Sequence, residues 1–82
     1  MQTAVVIDVK NQWGDTKAIK DTDIQVNVNR QGEPFYKIIG INGVETFALL
    51  MTQDKGQAVN TYNQIKGQIL EHQFAEMQHK YS

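Results

Sequence analysis

The dipeptide Asn42-Gly43 lies between two runs of strand-forming residues, and it restricts the fold more than any other feature of the chain. Asn-Gly is a preferred centre of the two-residue type I′ hairpin, because both central positions of that turn need positive φ. The strands on either side are predicted at residues 35–41 and 44–51. The second half of the chain therefore begins with an antiparallel β-hairpin.

The same turn predicts which side chains share a face of the hairpin. With Asn42 and Gly43 at its centre, Ile38 lies opposite Phe47, and a slip of one residue would turn every side chain to the other face. One face of the hairpin is then clearly more apolar than the other, and we expect a helix to cover it. Its members are Tyr36, Ile38, Phe47, Leu49 and Met51.

Two more strands are predicted before the hairpin. Residues 3–9 are rich in β-branched side chains, and in residues 24–30 apolar and polar side chains alternate with a period of two. The segment between them, residues 10–23, is polar, and the sequence leaves open whether it is a loop or contains a short strand. These strands together predict an antiparallel four-stranded β-meander.

A helix is predicted over residues 54–80. Asp54 followed by Gln57 resembles a capping box, with Asp in place of Ser or Thr. One narrow helical stripe then holds four apolar residues, Ala58, Tyr62, Ile65 and Ile69. The predicted fold class is α+β (ββββα): one domain, residues 1–82, in which a long C-terminal amphipathic helix packs on one face of the meander.

A second apolar stripe lies on another side of this helix. Its C-terminal part, here called the dimer stripe, consists of Leu70, Phe74, Met77 and Tyr81. A helix of this length is about 40 Å long, whereas strands of seven or eight residues span about 25 Å. The last turns of the helix should therefore extend beyond the sheet. We expect the dimer stripe to pair with a second copy of the chain. Gly67 nearby would let two helices approach closely, or it is simply tolerated in the helix without such a role.

The sequence offers little for catalysis or metal binding. It has no cysteine and a single serine at the C-terminal position, so candidates for a nucleophile are few. His72, Glu76 and His79 share a helical face, but three residues of one helix do not make a zinc site. The acidic residues Asp15, Asp21 and Asp23 lack the frame of a calcium loop. We therefore expect a protein that is not an enzyme and that binds neither metal nor cofactor.

Trp13, the one tryptophan, precedes Gly14 in the polar segment. A tryptophan in such a loop more often folds back to cover one end of the core, and that placement is preferred here. If Trp13 is exposed instead, it is a candidate contact for a protein partner, because tryptophan is enriched at binding hot spots. Both alternatives stay open at the level of the sequence.

An alternative function is single-stranded nucleic-acid binding on the uncovered sheet face. Amide, aromatic and cationic side chains on a sheet can contact bases and phosphates, and the candidates are Asn27, Asn29, Arg30, Phe35 and Lys37. A four-stranded sheet followed by a dimerising helix resembles the PC4-like single-stranded-DNA-binding modules in its arrangement of elements. The net charge of −1 disfavours this alternative, because proteins that bind phosphates are usually basic.

The expected function is therefore a small interaction protein that forms a homodimer through its helix and binds an unidentified protein partner. Its longest uninterrupted apolar runs are too short for a signal sequence or a membrane span. The absence of cysteine suits a reducing compartment. These features predict a protein of the cytoplasm without a membrane partner.

Overall fold

The computed structural model describes the backbone of residues 6–81 and the side chains of residues 6–75. The elements in this part of the chain are β1 (Ile7–Lys10), β2 (Thr16–Ile19), β3 (Asp21–Val28), β4 (Pro34–Asn42), β5 (Glu45–Thr52) and α1 (Lys55–Tyr81). Within these residues, every pair of neighbouring strands is antiparallel. The α+β class and the single long C-terminal helix are confirmed.

The four-stranded meander is wrong. The described strands form two sheets, β1–β2 and β3–β4–β5. Residues 10–23 contain the additional strand β2, which is separated from β3 by Lys20 alone. This strand has only four residues and one large apolar side chain, Ile19, so its periodicity is too short to predict a strand. Residues 3–5 of the predicted first strand lie outside the described residues.

The hairpin between β4 and β5 is placed correctly, but its turn is of another kind. Asn42 pairs with Glu45, so the central residues are Gly43 and Val44 rather than Asn42 and Gly43. Only Gly43 has positive φ, +66°, as a type II′ turn requires at its first central position. The Asn42 side chain instead donates a hydrogen bond to the Ala18 carbonyl at 2.9 Å, which holds the β1–β2 hairpin against β4.

The predicted pairing of Ile38 with Phe47 is wrong, because the shifted turn places Phe47 opposite Gly40, and a β-bulge at Leu49 then changes the register again. Ile39 lies opposite Ala48, whereas Ile38 lies opposite Leu50, which leaves Leu49 as the extra residue. Leu49 is buried and Phe47 packs against the core, as the apolar face predicted. Met51, however, lies opposite Lys37 and is exposed. Its predicted place on the helix side is wrong, because a bulge moves the following residues to the other face.

The core lies between the three-stranded sheet and two elements that cover the same face of it. Ile38 and Leu49 of the sheet cluster with Ile65 and Ile69 of α1, as predicted, and with Ile19 of the small hairpin. Gly40 makes room for this hairpin: a Cβ atom built there would lie 2.5 Å from Ile19 Cγ2. The core therefore joins both sheets and the helix.

The start of α1 agrees with the predicted cap. The Asp54 carboxylate accepts a hydrogen bond from the Gln57 N–H at 3.2 Å, and the Asp54 carbonyl accepts the first helical bond from Ala58. The Gln57 side chain does not return to the Asp54 N–H, as it would in a capping box. It accepts a bond from the Thr52 hydroxyl, which in turn accepts one from Asp54.

The helix is much longer than the layer that it covers. Its 27 residues span about 40 Å, and the molecule measures 54 × 23 × 22 Å. Buried residues on α1 end at Ile69 within the described side chains. The C-terminal turns of the helix therefore extend beyond the sheet, as expected. In the described part of the chain, α1 lacks the apolar content that a membrane-crossing helix needs.

Candidate functional site

The described part of the dimer stripe is exposed. Ile69 is 2% exposed, yet Leu70 and Phe74 are 55% and 61% exposed. The side chains of Met77 and Tyr81 lie outside the described residues, although the backbone around them is helical. Leu70 and Phe74 lie one helical turn apart, so their side chains can form one small apolar surface on the exposed part of the helix.

Gly67 lies where the helix leaves the sheet. A Cβ atom built on it would meet no described atom within 4 Å, so no contact within the described residues requires glycine here. Glycine in a helix costs about 1 kcal/mol relative to alanine. The open space at Gly67 does not distinguish an approach by another helix from a glycine that is simply tolerated there.

Trp13 is exposed, so the preferred placement over the core is wrong. Its side chain is 55% exposed, and the loop that bears it contains several hydrogen bonds. The buried Asn11 side chain accepts bonds from the N–H groups of Trp13 and Asp15 at 3.0 and 2.9 Å. These bonds stabilise the backbone of the loop that bears the exposed Trp13 side chain. It remains a candidate contact for a protein partner.

The loop also covers the outer edge of β5, a role that the sequence did not predict. The Gln12 N–H donates to the Leu49 carbonyl at 2.9 Å, and the Gln12 side-chain oxygen accepts from the Met51 N–H at 2.6 Å. Edge strands expose unpaired backbone groups that invite other strands. The sequence around Gln12 does not predict this contact, because Leu49 and Met51 lie far from it along the chain.

The residues proposed for nucleic-acid binding are only partly brought together. Asn27 lies opposite Phe35 on the face of the sheet away from α1, and Lys37 lies on the same face. Asn29 belongs to the β3–β4 turn, where its side-chain oxygen accepts bonds from the N–H groups of Gln31 and Glu33. Since this oxygen stabilises the turn, it is not free to accept a hydrogen bond from a base.

Arg30 is exposed in the same turn. The face that holds Asn27 and Lys37 also includes Asp23, which lies opposite Ile39 on this side of β3. Acidic and basic side chains are thus mixed on this surface. A continuous basic stripe, which a phosphate backbone favours, is not formed by the candidate residues.

One ion pair connects the packed half of α1 to β3. Lys66 Nζ lies 2.7 Å from Asp21 Oδ1, and both side chains are partly exposed. The hydrogen bond from Lys66, together with one from the Thr22 N–H, lowers the pKa of Asp21 below its ordinary value. The same bond to Asp21 raises the pKa of Lys66. Exposed pairs of this kind contribute about 0–1 kcal/mol.

The residues considered as metal ligands do not form a common site among the described side chains. His72 is exposed on α1, and the side chains of Glu76 and His79 lie outside the described residues. The carboxylates of Asp21 and Asp23 accept hydrogen bonds from the backbone N–H of the residue that follows each. Among the described side chains, no three potential ligands cluster around a common point.

Comparison of the chain with protein-family models, curated proteins and solved structures finds no match.

Proposed function

We propose that this protein is a non-catalytic interaction module that forms a homodimer through the C-terminal half of α1 and binds a protein partner. The observation that supports this most is the exposure of Leu70 and Phe74 immediately after the last buried residue, Ile69. Small domains gain little stability from their own core, so a second chain that covers these side chains would stabilise them. Both faces of such a dimer are identical, as a two-fold interface requires.

Exposed Trp13 supports the second part of the proposal. It lies on the β1–β2 loop beside the edge of β5, whereas the dimer stripe begins at Leu70. Tryptophan on an ordered loop loses little conformational freedom on binding, and it is a frequent binding hot spot. The cysteine-free sequence supports a location in the reducing cytoplasm.

The homodimer is tested by light scattering on a sizing column over a series of concentrations. Phe74→Asp places a charge in the dimer stripe and should shift the protein from dimer towards monomer. Gln68→Asp is the matched control, because it adds the same charge to another exposed side of α1. A wild-type protein that is monomeric at high micromolar concentration would show that the dimer stripe does not pair.

A second candidate function is single-stranded nucleic-acid binding by Asn27, Phe35 and Lys37, with Arg30 nearby. The observation in its favour is that the first three share the uncovered face of the sheet. Titration of a labelled oligonucleotide at two salt concentrations tests it, since phosphate contacts lose affinity as salt rises. Lys37→Gln should weaken the binding, and no binding at low salt would reject this function.

A further inference from the structure

The outer edge of β3 is divided into a blocked half and an open half. β3 pairs with β4 alone among the described strands, so it forms an edge of the three-stranded sheet. In an antiparallel ladder, alternate residues direct their N–H and C=O groups to the partner strand. The Asn29 N–H donates to the Glu33 carbonyl, and the register therefore directs the backbone groups of Thr22, Ile24, Val26 and Val28 outward.

In the first half of the strand, acidic side chains occupy the outward N–H groups. The Thr22 N–H donates to the Asp21 carboxylate and the Ile24 N–H to the Asp23 carboxylate, each at 2.8 Å. These bonds confirm the outward direction of both groups. They also blunt the edge, because a docking strand would have to displace a charged acceptor from each N–H.

In the second half, the outward groups belong to Val26 and Val28, which follow Gln25 and Asn27 rather than aspartates. Within residues 6–81, neither valine N–H donates to a side chain or to a loop carbonyl. Both side chains lie on the helix side of the sheet and are 65% and 66% exposed. The open edge thus combines free backbone groups with two adjacent apolar side chains.

We propose that this open edge pairs with the same segment of a second copy, antiparallel and about a two-fold axis at Asn27. Val26 then lies opposite Val28 of the second copy, and the two valine pairs form four backbone hydrogen bonds. This occupant is favoured by charge. Extended two residues past Val28, the same register puts Arg30 of one copy opposite Ile24 of the other, whose N–H donates to the Asp23 carboxylate. The Arg30 and Asp23 side chains are both exposed in the single chain.

The β3 contact and the helix dimer lie at opposite ends of α1. The helix starts just after Thr52, which lies opposite Tyr36, and Tyr36 lies opposite Val26. The open edge is therefore near the first turn of α1, whereas the dimer stripe begins fifteen residues further on, at Leu70. One chain can contact two different copies, so helix dimers join into larger assemblies. The edge contact is small and should form only at higher concentration.

Light scattering over a concentration series, with variants of each contact, tests the β3 pairing. Val26→Lys/Val28→Lys adds two charges to the open edge, at side chains that are already exposed. Val6→Lys/Val44→Lys is the matched control, because it changes two exposed valines elsewhere. We expect wild type and control to grow beyond the dimer as concentration rises, and Val26→Lys/Val28→Lys to remain a dimer. Phe74→Asp should be monomeric at low concentration and should form dimers, and nothing larger, at high concentration.

These measurements distinguish an error in the proposed β3 pairing from an error in the proposed helix dimer. A Phe74→Asp variant that is monomeric at every concentration, or a Val26→Lys/Val28→Lys variant that still exceeds the dimer, shows that the β3 pairing is wrong. The β3 pairing is also wrong if wild type and Val26→Lys/Val28→Lys both remain dimers at all concentrations. The partner of the open edge would then be a strand of another protein. If Phe74→Asp changes nothing while Val26→Lys/Val28→Lys is monomeric, the helix dimer is wrong and the β3 pairing stands.

Hydrogen exchange of single amides gives a direct measure of the pairing. In the Phe74→Asp variant, the Val26 and Val28 amides should exchange quickly at low concentration and slow down as the protein associates. The Gln25 and Asn27 amides, which face β4, should change much less. Equal exchange of the two valine amides at all concentrations would overturn the proposed pairing.

Discussion

The two halves of α1 contain similar apolar side chains in different surroundings. Up to Ile69 the sheet and the small hairpin lie under the helix, and Ala58, Ile65 and Ile69 are buried. From Leu70 on, the described apolar side chains are exposed, and the stripe that faced the sheet continues with polar residues such as His72. The helix continues without a break at this point, but the sheet and the small hairpin that pack against it end.

This difference shows that the length of the sheet determines which apolar residues of the helix can be buried. A helix continues as long as its local sequence permits, whereas burial requires a second layer. Apolar side chains beyond that layer contribute nothing to the core of the single chain. The following changes test whether the two halves differ in this way.

Ile65→Ala should have the largest effect. It removes buried methyl and methylene groups from the centre of the packed half and should lower the free energy of unfolding by about 2–5 kcal/mol. Denaturant unfolding measures this loss. Asn63→Ala, on an exposed side of the same half, is the control and should change little. Equal stabilities of the two variants would show that α1 docks by another face.

Two glycine substitutions should change the stability of the protein in opposite directions. Gly40→Ala forces a Cβ atom against Ile19 beneath the packed half and should destabilise the protein by about 1–3 kcal/mol. Gly67→Ala meets open space and should stabilise the dilute monomer by up to about 1 kcal/mol through helix propensity. Thermal unfolding measures the stability of both variants. If Gly67→Ala lowered the stability of the monomer, the proposed difference between the packed and the exposed half of α1 would be contradicted.

The ion pair between Asp21 and Lys66 should have a small, pH-dependent effect. The folded pKa of Asp21 is lowered, so its contribution is present above its unfolded pKa, near 4, and is lost as pH falls through the folded value. The folded pKa of Lys66 is raised, so its contribution is lost as pH rises above the ordinary lysine range. Between these limits, Lys66→Met should cost about 0–1 kcal/mol.

Unfolding of wild type and Lys66→Met is compared at several pH values to measure this contribution. The difference in free energy should be largest around neutral pH and should shrink in strong acid. Lys55→Met, at the start of α1, is the control for removing one lysine from the helix. A difference that grows as pH falls would contradict the pairing.

Leu70→Ser should have the smallest effect on the stability of the monomer. Its side chain lies in the half of α1 without a second layer, so unfolding of dilute protein should change by no more than about 0.5 kcal/mol. The same change should weaken the proposed dimer, which a sizing column can detect. A large loss of stability in the monomer would show that Leu70 packs within its own chain.

The local sequence was sufficient to predict the helix and four of the five strands that the structure describes. Asp54 fixed the start of α1 because a cap acts within one turn, and Ile65 and Ile69 lay on the stripe that is buried. The strand β2 was missed, because four residues are too few to show a period. The apolar residues of the dimer stripe were named from the helical periodicity, and their pairing with a second copy of the chain stays a prediction.

Tertiary contacts decided the rest. The sequence by itself determined where the strands and the helix lie, because propensities, turns and caps depend on near neighbours. Only the folded chain decided that Asn42 binds Ala18 instead of centring the turn, that Leu49 bulges towards Gln12, and that Trp13 faces outward. Each of these outcomes depends on residues brought together from distant parts of the sequence, and no local pattern contains that information.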